Sequence, residues 1–281
     1  MNLNYFQEGL DSLLFIGKKL TPEEKMLIEH SLLILQTENR MTGIYFWGRI
    51  DGIANDYFIA FGYTYDCLKD RKYFYSNDCY IWQLLPFIHT PKIFQATMLS
   101  HDPFIGDPTI YMPVKMDPVF KIEQNEVVDA RPAELVRLKE EDRLAALVFV
   151  ISEEAGICPR GSVYKLIDGR CAPNALFHGL DDNQLGDISY YQLYRLPRNS
   201  MKGNVCRKPD YNYPTDFLDA VDSVIPLGKS FTLSKHHRNR LIIIRSLIWP
   251  GMTFFHKLNS RKHGFAYFGN GKKNLDLLSS Y

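Results

Sequence analysis

The sequence has few of the residues that cross-link small proteins or bind metals, and it has no long apolar run. Its five cysteines are an odd number among 281 residues, and none of them shows the C-x-x-C spacing of a zinc or redox motif. We therefore expect reduced thiols and no zinc site. The longest apolar stretches, Leu144 to Ile151 and Leu241 to Trp249, are much shorter than the roughly 20 residues that span a bilayer. We expect no membrane partner.

Targeting and catalytic motifs are missing as well. The N-terminal residues lack a basic stretch ahead of their apolar patch, so they do not resemble a signal peptide and indicate a cytoplasmic protein. The sequence contains no G-x-S-x-G elbow, no H-E-x-x-H helix and no cysteine nucleophile signature. Gly228-Lys229-Ser230 matches only the end of a phosphate-binding loop, because Ser223 occupies the place of the first glycine. We predict no enzyme activity, no catalytic residue, no cofactor and no metal.

The residues that are present are those of an ordinary folded protein. Hydrophobic residues make up 46% of the chain, aromatic residues 14% and charged residues 23%, which excludes intrinsic disorder. A chain of this length forms one large or two small domains. Strands at both ends with helices between them favour a single domain over residues 1–281.

Local signals place several elements. Thr21, Pro22 and Glu24 form the capping box that begins a helix. Aromatic and β-branched residues over Gly43 to Ile50 and Ile53 to Phe61, on either side of Asp51-Gly52, predict a hairpin with a two-residue turn. The same signals predict further strands at Lys72 to Ser76, Tyr80 to Leu85, Val163 to Ile167, Ser230 to Ser234, Arg240 to Ile248, Met252 to Lys257 and Phe265 to Phe268.

The middle of the chain is harder to interpret. Six prolines predict an extended segment over 86–118. The stretch from Leu135 to Glu154 fits a helix or a buried strand, and we favour a helical turn that leads into a strand. Short helices are predicted at Asp181 to Tyr194 and Pro214 to Val224, with a mobile loop over 195–213. The fold class is therefore α+β, with a largely antiparallel sheet formed by N-terminal and C-terminal strands and a few short helices.

Charge is distributed unevenly along the chain. From Pro226 to Tyr281 there are ten basic residues and one acid, so this segment carries +9 and the remainder −8. A basic docking segment for an acidic partner is predicted at Lys235, Arg238, Arg240, Lys257, Arg261 and Lys262. Three alternatives stay open: the segment packs against the acidic stretch from Glu123 to Glu154, it is solvated, or it binds nucleic acid or a nucleotide.

Several blocks of sequence together resemble one family, the radial spoke head protein 9 family. Their order and spacing cover nearly the whole chain. The blocks are FWGRIDGIANDYFIA (46–60), RKYFYSNDCYIWQLLP (71–86), FIGDP (104–108), EEDRLAALV (140–148), CPRGS (158–162), DFLDAVDSVIPLGKSF (216–231), RSLIWPGMTFFH (245–256) and YFGNGKKNLDL (267–277).

The resemblance implies a non-enzymatic component of the radial spoke head in the axoneme of motile cilia and flagella, within the cytoskeleton. It implies spoke head assembly and mechanical signalling between the central apparatus and dynein. The implied partners are the related head proteins 4 and 6, MORN-repeat head proteins and, through the assembled head, the central apparatus projections. No nucleic acid partner is implied.

The same resemblance suggests a signature that serves either structure or an interface. Its residues are Trp47, Arg49, Arg160, Arg245, Trp249 and Pro250. One interpretation is that the tryptophans fill the core. The other is that tryptophan and arginine anchors occupy a groove of a partner, as binding hot spots do.

Overall fold

The structure is a computed structural model that describes residues 1–13, 20–88, 90–100, 102–116, 119–123, 126–131, 134–198, 211–236 and 240–279. The helices are α1 (Phe6–Leu13), α2 (Pro22–Glu38), α3 (Pro91–Leu99), α4 (Glu140–Ala155), α5 (Asp182–Leu185) and α6 (Asp276–Ser279). The strands are β1 (Gly43–Ile50), β2 (Tyr57–Tyr63), β3 (Arg71–Ser76), β4 (Gln83–Leu84), β5 (Tyr111–Met116), β6 (Val119–Glu123), β7 (Glu126–Arg131), β8 (Glu134–Lys139), β9 (Ile157–Pro159), β10 (Val163–Lys165), β11 (Cys171–Pro173), β12 (Tyr191–Leu193), β13 (Phe231–His236), β14 (Leu241–Ser246), β15 (Met252–Lys257) and β16 (His263–Gly269).

An eight-stranded sheet occupies the centre of the fold. Its strand order is β13-β14-β15-β16-β1-β2-β3-β4, so strands from both ends of the chain share one sheet. Neighbouring strands are antiparallel except for β1 and β16, which are parallel. The predicted α+β class with a largely antiparallel sheet is confirmed.

Both faces of this sheet are buried because successive side chains of a strand point to opposite sides. On one face, Trp47 of β1 and Tyr267 of β16 pack in a large core together with α4. On the other face, Phe46 and Phe268 pack with α1 and α2 in a second core. The two layers explain why the central strands read as nearly continuous apolar runs rather than alternating ones.

The hairpin of β1 and β2 is confirmed, but the predicted two-residue turn is wrong. Residues 51–56 connect the strands, and the backbone amides of Ile53 and Ala54 donate to the carbonyls of Phe104 and Ile105. The connection therefore pairs with another segment of the chain instead of closing on itself. Because the two segments are far apart in the sequence, the residues of the turn itself do not predict this contact.

The stretch from Leu135 to Glu154 differs from the favoured interpretation. It forms strand β8 followed by the full helix α4, rather than a helical turn followed by a strand. Helix α4 is buried around most of its circumference, as Leu144, Ala146 and Val148 are all inaccessible to solvent. The apolar run in the middle of α4, Leu144 to Ile151, has no amphipathic period to distinguish it from a buried strand.

The proline-rich segment 86–118 is also more regular than predicted. It contains helix α3, which begins with Pro91 at its first turn, where a missing amide costs no hydrogen bond. It also contains strand β5, which pairs with β8 through Met112 and Leu138. Pro91 is compatible with α3 because it lies in the first turn, and Pro113 is accommodated in β5, which pairs with another strand on one side only.

The helices predicted over Asp181 to Tyr194 and Pro214 to Val224 are wrong. In the first range the single turn α5 ends at Gly186, and Tyr191–Leu193 forms β12 against β9. In the second, only Val221–Ser223 is helical, as a 3₁₀ turn. Pairing with a distant strand outweighs weak local helix propensity here.

The predicted mobile loop 195–213 lies mostly outside the described residues, since 199–210 are not described. Its start is held in place: the Arg195 guanidinium lies 2.9 Å from the Asp219 carboxylate, and both side chains are 2% exposed. The single-domain organisation stays a prediction. Within the described ranges, no helix has the length and apolar character that crossing a membrane requires.

Candidate interface residues

Trp47 lies in the core of this chain. Its side chain is fully buried, and its indole N–H donates to Oγ of Ser152 at 2.8 Å. The Ser152 hydroxyl in turn donates to the carbonyl of Val148, one turn earlier in α4. Trp47 thus ties β1 to α4 through a satisfied polar contact as well as through packing.

Trp249 is buried in the same core, just after β14. Its indole N–H donates to the Glu154 carboxylate at 2.7 Å. The Lys273 ammonium lies 2.8 Å from the same carboxylate and 5.6 Å from the centre of the indole ring. This arrangement joins the end of α4 to the chain near α6. Because neither tryptophan is accessible, the geometry supports the core interpretation for both.

The arginines of the signature occupy different environments. Arg160 is almost buried and forms two hydrogen bonds to the Asp216 carboxylate, of 2.7 and 2.6 Å. This bidentate pair fixes the CPRGS turn against the segment before β13. Arg49 is partly buried and lies between two carboxylates, 3.4 Å from Asp51 and 3.5 Å from Asp56.

The remaining two signature residues are on the surface. Arg245 of β14 and Pro250, which follows Trp249, are both exposed. The structure therefore does not gather the six residues into one exposed patch. A role of Arg245 and Pro250 in an interface stays a prediction.

The basic docking segment is only partly available to a partner. The Lys262 ammonium lies 2.5 Å from the Glu8 carboxylate, and Lys235 lies 2.8 Å from Asp182. The Lys262 hydrogen bond lowers the pKa of Glu8 below its ordinary value. Arg240, Lys257 and Arg261 are exposed, whereas Arg238 lies outside the described residues. The docking role of this segment stays a prediction, and part of its charge is used within the chain.

Sequence reasoning missed a buried carboxylate that organises one end of the core. Glu140, the first residue of α4, is fully buried. Its carboxylate accepts hydrogen bonds from the amides of Ile105 at 3.0 Å and Gly106 at 2.7 Å, and from the Tyr57 hydroxyl at 2.8 Å. Burial and this carboxylate raise the pKa of Tyr57 well above its ordinary value. The two segments that meet at this carboxylate, FIGDP and EEDRLAALV, are both among the blocks that carry the family resemblance. The sequence therefore marked both segments, but it did not show that they contact each other.

A cleft of about 610 Å³ lies between the β3–β4 edge of the sheet and helices α3 and α4. Its wall includes Phe87, Phe94 and Phe149, and the Glu153 carboxyl, whose pKa is raised by burial. In the described part of the chain, no group of three His, Cys, Asp or Glu side chains is placed to hold a metal ion. The four described cysteines are free thiols, and burial raises the pKa of Cys67 to about 12.

Comparison with known proteins identifies relatives along nearly the full length of the chain. No family model matches it. The chain is 33% identical over 265 residues to the human protein "Radial spoke head protein 9 homolog", with 93% of each chain covered. It is 32% identical to the homologues of the same name from Danio rerio, over 99% of each chain, and from Xenopus tropicalis, over 93% of each chain.

The similarity extends along nearly the whole chain and is not confined to a single motif. Similarity over 93% or more of both chains includes the strands at both ends of the central sheet. The chain belongs to the radial spoke head protein 9 family.

Proposed function

We propose that this chain is a non-enzymatic structural component of the radial spoke head in the axoneme of motile cilia and flagella. It takes part in spoke head assembly and in mechanical signalling between the central apparatus and dynein. The observation that carries the proposal is the end-to-end similarity to radial spoke head protein 9 homologues, which reaches 99% of both chains for the Danio rerio protein.

The architecture suits a part that bears repeated load. A sheet covered on both faces must shear two packed cores before it can bend, and interiors at crystal-like density resist deformation. Aromatic rings cross-link the central strands: Phe61 of β2 stacks on Phe265 of β16, with ring centres 6.1 Å apart and planes at 7°. A stiff body transmits force between its contacts instead of absorbing it.

The partners we propose are the related head proteins 4 and 6 and MORN-repeat head proteins. Through the assembled head, the chain meets the projections of the central apparatus. Among the described residues of the basic docking segment, Arg240, Lys257 and Arg261 are exposed and would face an acidic surface of such a partner. Contacts of this kind weaken as salt rises, because exposed charges are screened beyond a Debye length of about 10 Å at 0.1 M.

The experiment that tests the proposal is recovery from axonemes. The chain is tagged in a motile ciliated cell, detergent-extracted axonemes are isolated, and the proteins that co-purify after salt release are identified. Recovery with other spoke head proteins is expected. Absence from axonemes would contradict the proposal, and salt-sensitive retention on single-stranded DNA or co-purification of a nucleotide would then favour the binding alternative.

A further inference from the structure

Helix α2 carries apolar side chains on two sides. Ile28, Leu32 and Leu35 are buried against the sheet. On the outer side, a second apolar stripe lies in solvent, with exposed fractions between 43% and 59%; its residues are Met26, Leu27, Leu33 and Ile34. Positions separated by seven and eight residues lie on one side of a helix. The outer apolar side chains of α2 are therefore largely uncovered by the residues that the structure describes.

A rigid loop extends this stripe. The Trp82 indole donates to Oγ of Ser31 at 2.9 Å, and the Ser31 hydroxyl donates to the Cys79 carbonyl at 2.7 Å. The loop from β3 to β4 is thereby fastened to the flank of α2. At its tip, Tyr80 and Ile81 are 64% and 60% exposed.

The conformation of this loop is fixed by its own polar contacts. Oδ1 of Asp78 accepts hydrogen bonds from the amides of Tyr80 and Ile81, both at 2.9 Å. Cys79 is buried and has a positive φ of 63°, a conformation that a non-glycine residue adopts only when its surroundings hold it there. The exposed apolar side chains are therefore presented in a preorganised form, which lowers the entropic cost of binding.

The charges around the stripe indicate the charge of a partner. Helix α2 contains four glutamates, one lysine and the exposed His30, and the lysine, Lys25, lies 3.5 Å from Asp11. Glu23 and Glu38 are exposed at the two ends of the stripe. A second copy of this chain would bring like charges together: an antiparallel pair of α2 helices places Glu23 near Glu38, and a parallel pair places each near itself.

We propose that the outer stripe of α2, together with Tyr80, Ile81 and Trp82, is a docking surface for a basic amphipathic helix of another polypeptide. The apolar side of that helix covers Leu27, Leu33 and Ile34, and its lysines or arginines meet Glu23 and Glu38. This is helix-against-surface recognition with apolar anchors spaced along one side. The inference deepens the proposed scaffold role and rests on it for the setting in which the partner is met.

The test uses the purified full chain and two labelled peptides of 17 residues, the length of α2. Both peptides carry the same leucine face; the polar face is lysine in one and glutamate in the other. We expect the lysine peptide to bind at least about tenfold more tightly than the glutamate peptide, because Glu23 and Glu38 attract one and repel the other.

Matched variants locate the binding. Ile34→Ser should weaken binding of the lysine peptide by about 30-fold, the effect of losing one hot-spot residue, without adding a charge. Ile167→Ser is the control, since Ile167 is fully exposed at the β10–β11 turn, and β10 and β11 pack on the opposite face of the sheet from α2. The control should bind as the unmodified chain does, and thermal unfolding of both variants verifies that they fold.

Three results would overturn the docking proposal: no binding of the lysine peptide, equal binding of the two peptides, or unchanged affinity in folded Ile34→Ser. Self-association that Ile34→Ser abolishes would also overturn it, because a second copy would then cover the stripe. The axoneme experiment tests the scaffold role independently. If the chain binds the lysine peptide but is absent from axonemes, the docking proposal is supported and the proposed function is contradicted.

Discussion

Several single buried polar residues connect distant segments of this protein. Glu140, Trp47 and Arg160 each connect elements that are far apart in sequence, and each has its hydrogen-bonding groups matched by partners. A buried polar group without a partner costs more than a satisfied one contributes. These residues therefore specify which segments meet, in addition to stabilising them.

The first prediction concerns Glu140. In Glu140→Gln, the amide NH₂ replaces one of the two oxygens that accept from the Ile105 and Gly106 amides and the Tyr57 hydroxyl. Either the Ile105 amide loses its nearer acceptor, Oε2 at 3.0 Å, or the Gly106 amide and the Tyr57 hydroxyl lose Oε1. The remaining bonds are no longer made to a charged carboxylate, and the expected cost is about 1–3 kcal/mol. Urea unfolding should show this loss in the free energy of unfolding.

Glu141→Gln is the matched control, because Glu141 is partly exposed and forms an ion pair with Lys139. Such pairs contribute about 0–1 kcal/mol. An equal loss in both variants would contradict the role assigned to Glu140.

The second prediction is a pH dependence from His256. Its ring is fully buried among Phe177, Tyr191 and Phe254, and burial lowers its pKa from the ordinary 6.5 to about 3. Between these values the unfolded chain binds a proton that the folded chain does not. Stability should therefore fall as pH decreases from about 6.5, by about 1.4 kcal/mol per pH unit.

The measurement is chemical unfolding at several pH values between 5 and 6.5, above the range in which most carboxylates titrate. His256→Phe removes the titrating ring, and its slope against pH should be smaller than that of the unmodified chain. The contacting His263 is shifted in the same direction, its pKa being lowered to about 4 by burial, so part of the slope remains. Identical slopes would refute the assignment to His256.

At the scale of elements, the described helices differ in how much of their stability is local. Helix α2 begins with a complete capping box, in which Thr21 and Glu24 satisfy each other's backbone amides. It was predicted because its signals are adjacent in sequence. Helix α4 has no side-chain cap at Lys139 and is stabilised mainly by burial. The sequence therefore did not distinguish a helix from a strand in this segment.

The third prediction tests the cap of α2. Thr21→Ala removes the oxygen that accepts from the Glu24 amide at 3.1 Å, which should lower the free energy of unfolding by about 1 kcal/mol. Thr37→Ala is the control in the same helix. Thr37 is exposed in the last turn and only donates back to the Leu33 carbonyl.

Alanine has the higher helix propensity, so Thr37→Ala should be neutral or slightly stabilising. Urea unfolding of both variants gives the comparison. Equal destabilisation by the two substitutions would mean that the capping box contributes nothing beyond ordinary propensity.

At the scale of the whole molecule, the two ends of the described chain meet in the central sheet. The parallel pairing of β1 with β16 joins Gly48 to Tyr267 across more than two hundred residues. The ion pair between Glu8 and Lys262 connects the ends on the surface. Truncation at either end would therefore remove part of the same sheet.

The fourth prediction tests this closure at Gly48. Its φ is +147°, and a Cβ there would lie 2.1 Å from the Tyr267 carbonyl oxygen. Gly48→Ala forces β1 and β16 apart, so we expect a loss of more than about 3 kcal/mol or failure to fold. Gly186→Ala is the control, because nothing lies within 4 Å of a Cβ at that position and its φ of −82° suits any residue.

Thermal unfolding compares the two glycine variants. If Gly48→Ala leaves the midpoint of thermal unfolding unchanged, β1 and β16 can move apart without loss of stability. A large effect at Gly186 would instead point to a general intolerance of alanine.

Elements with local signals could be predicted from the residues alone: the capped helix α2, the β1–β2 hairpin and the C-terminal strands β13 to β16. The fold class and, through the ordered blocks, the family could be predicted in the same way. The three-dimensional fold was needed to show that residues 51–56 pair with Phe104 and Ile105, that Leu144 to Ile151 is helical, and that Trp47 and Trp249 are buried. Each of these depends on a neighbour that is distant in the chain, and no local pattern of residues encodes which distant segment that neighbour belongs to.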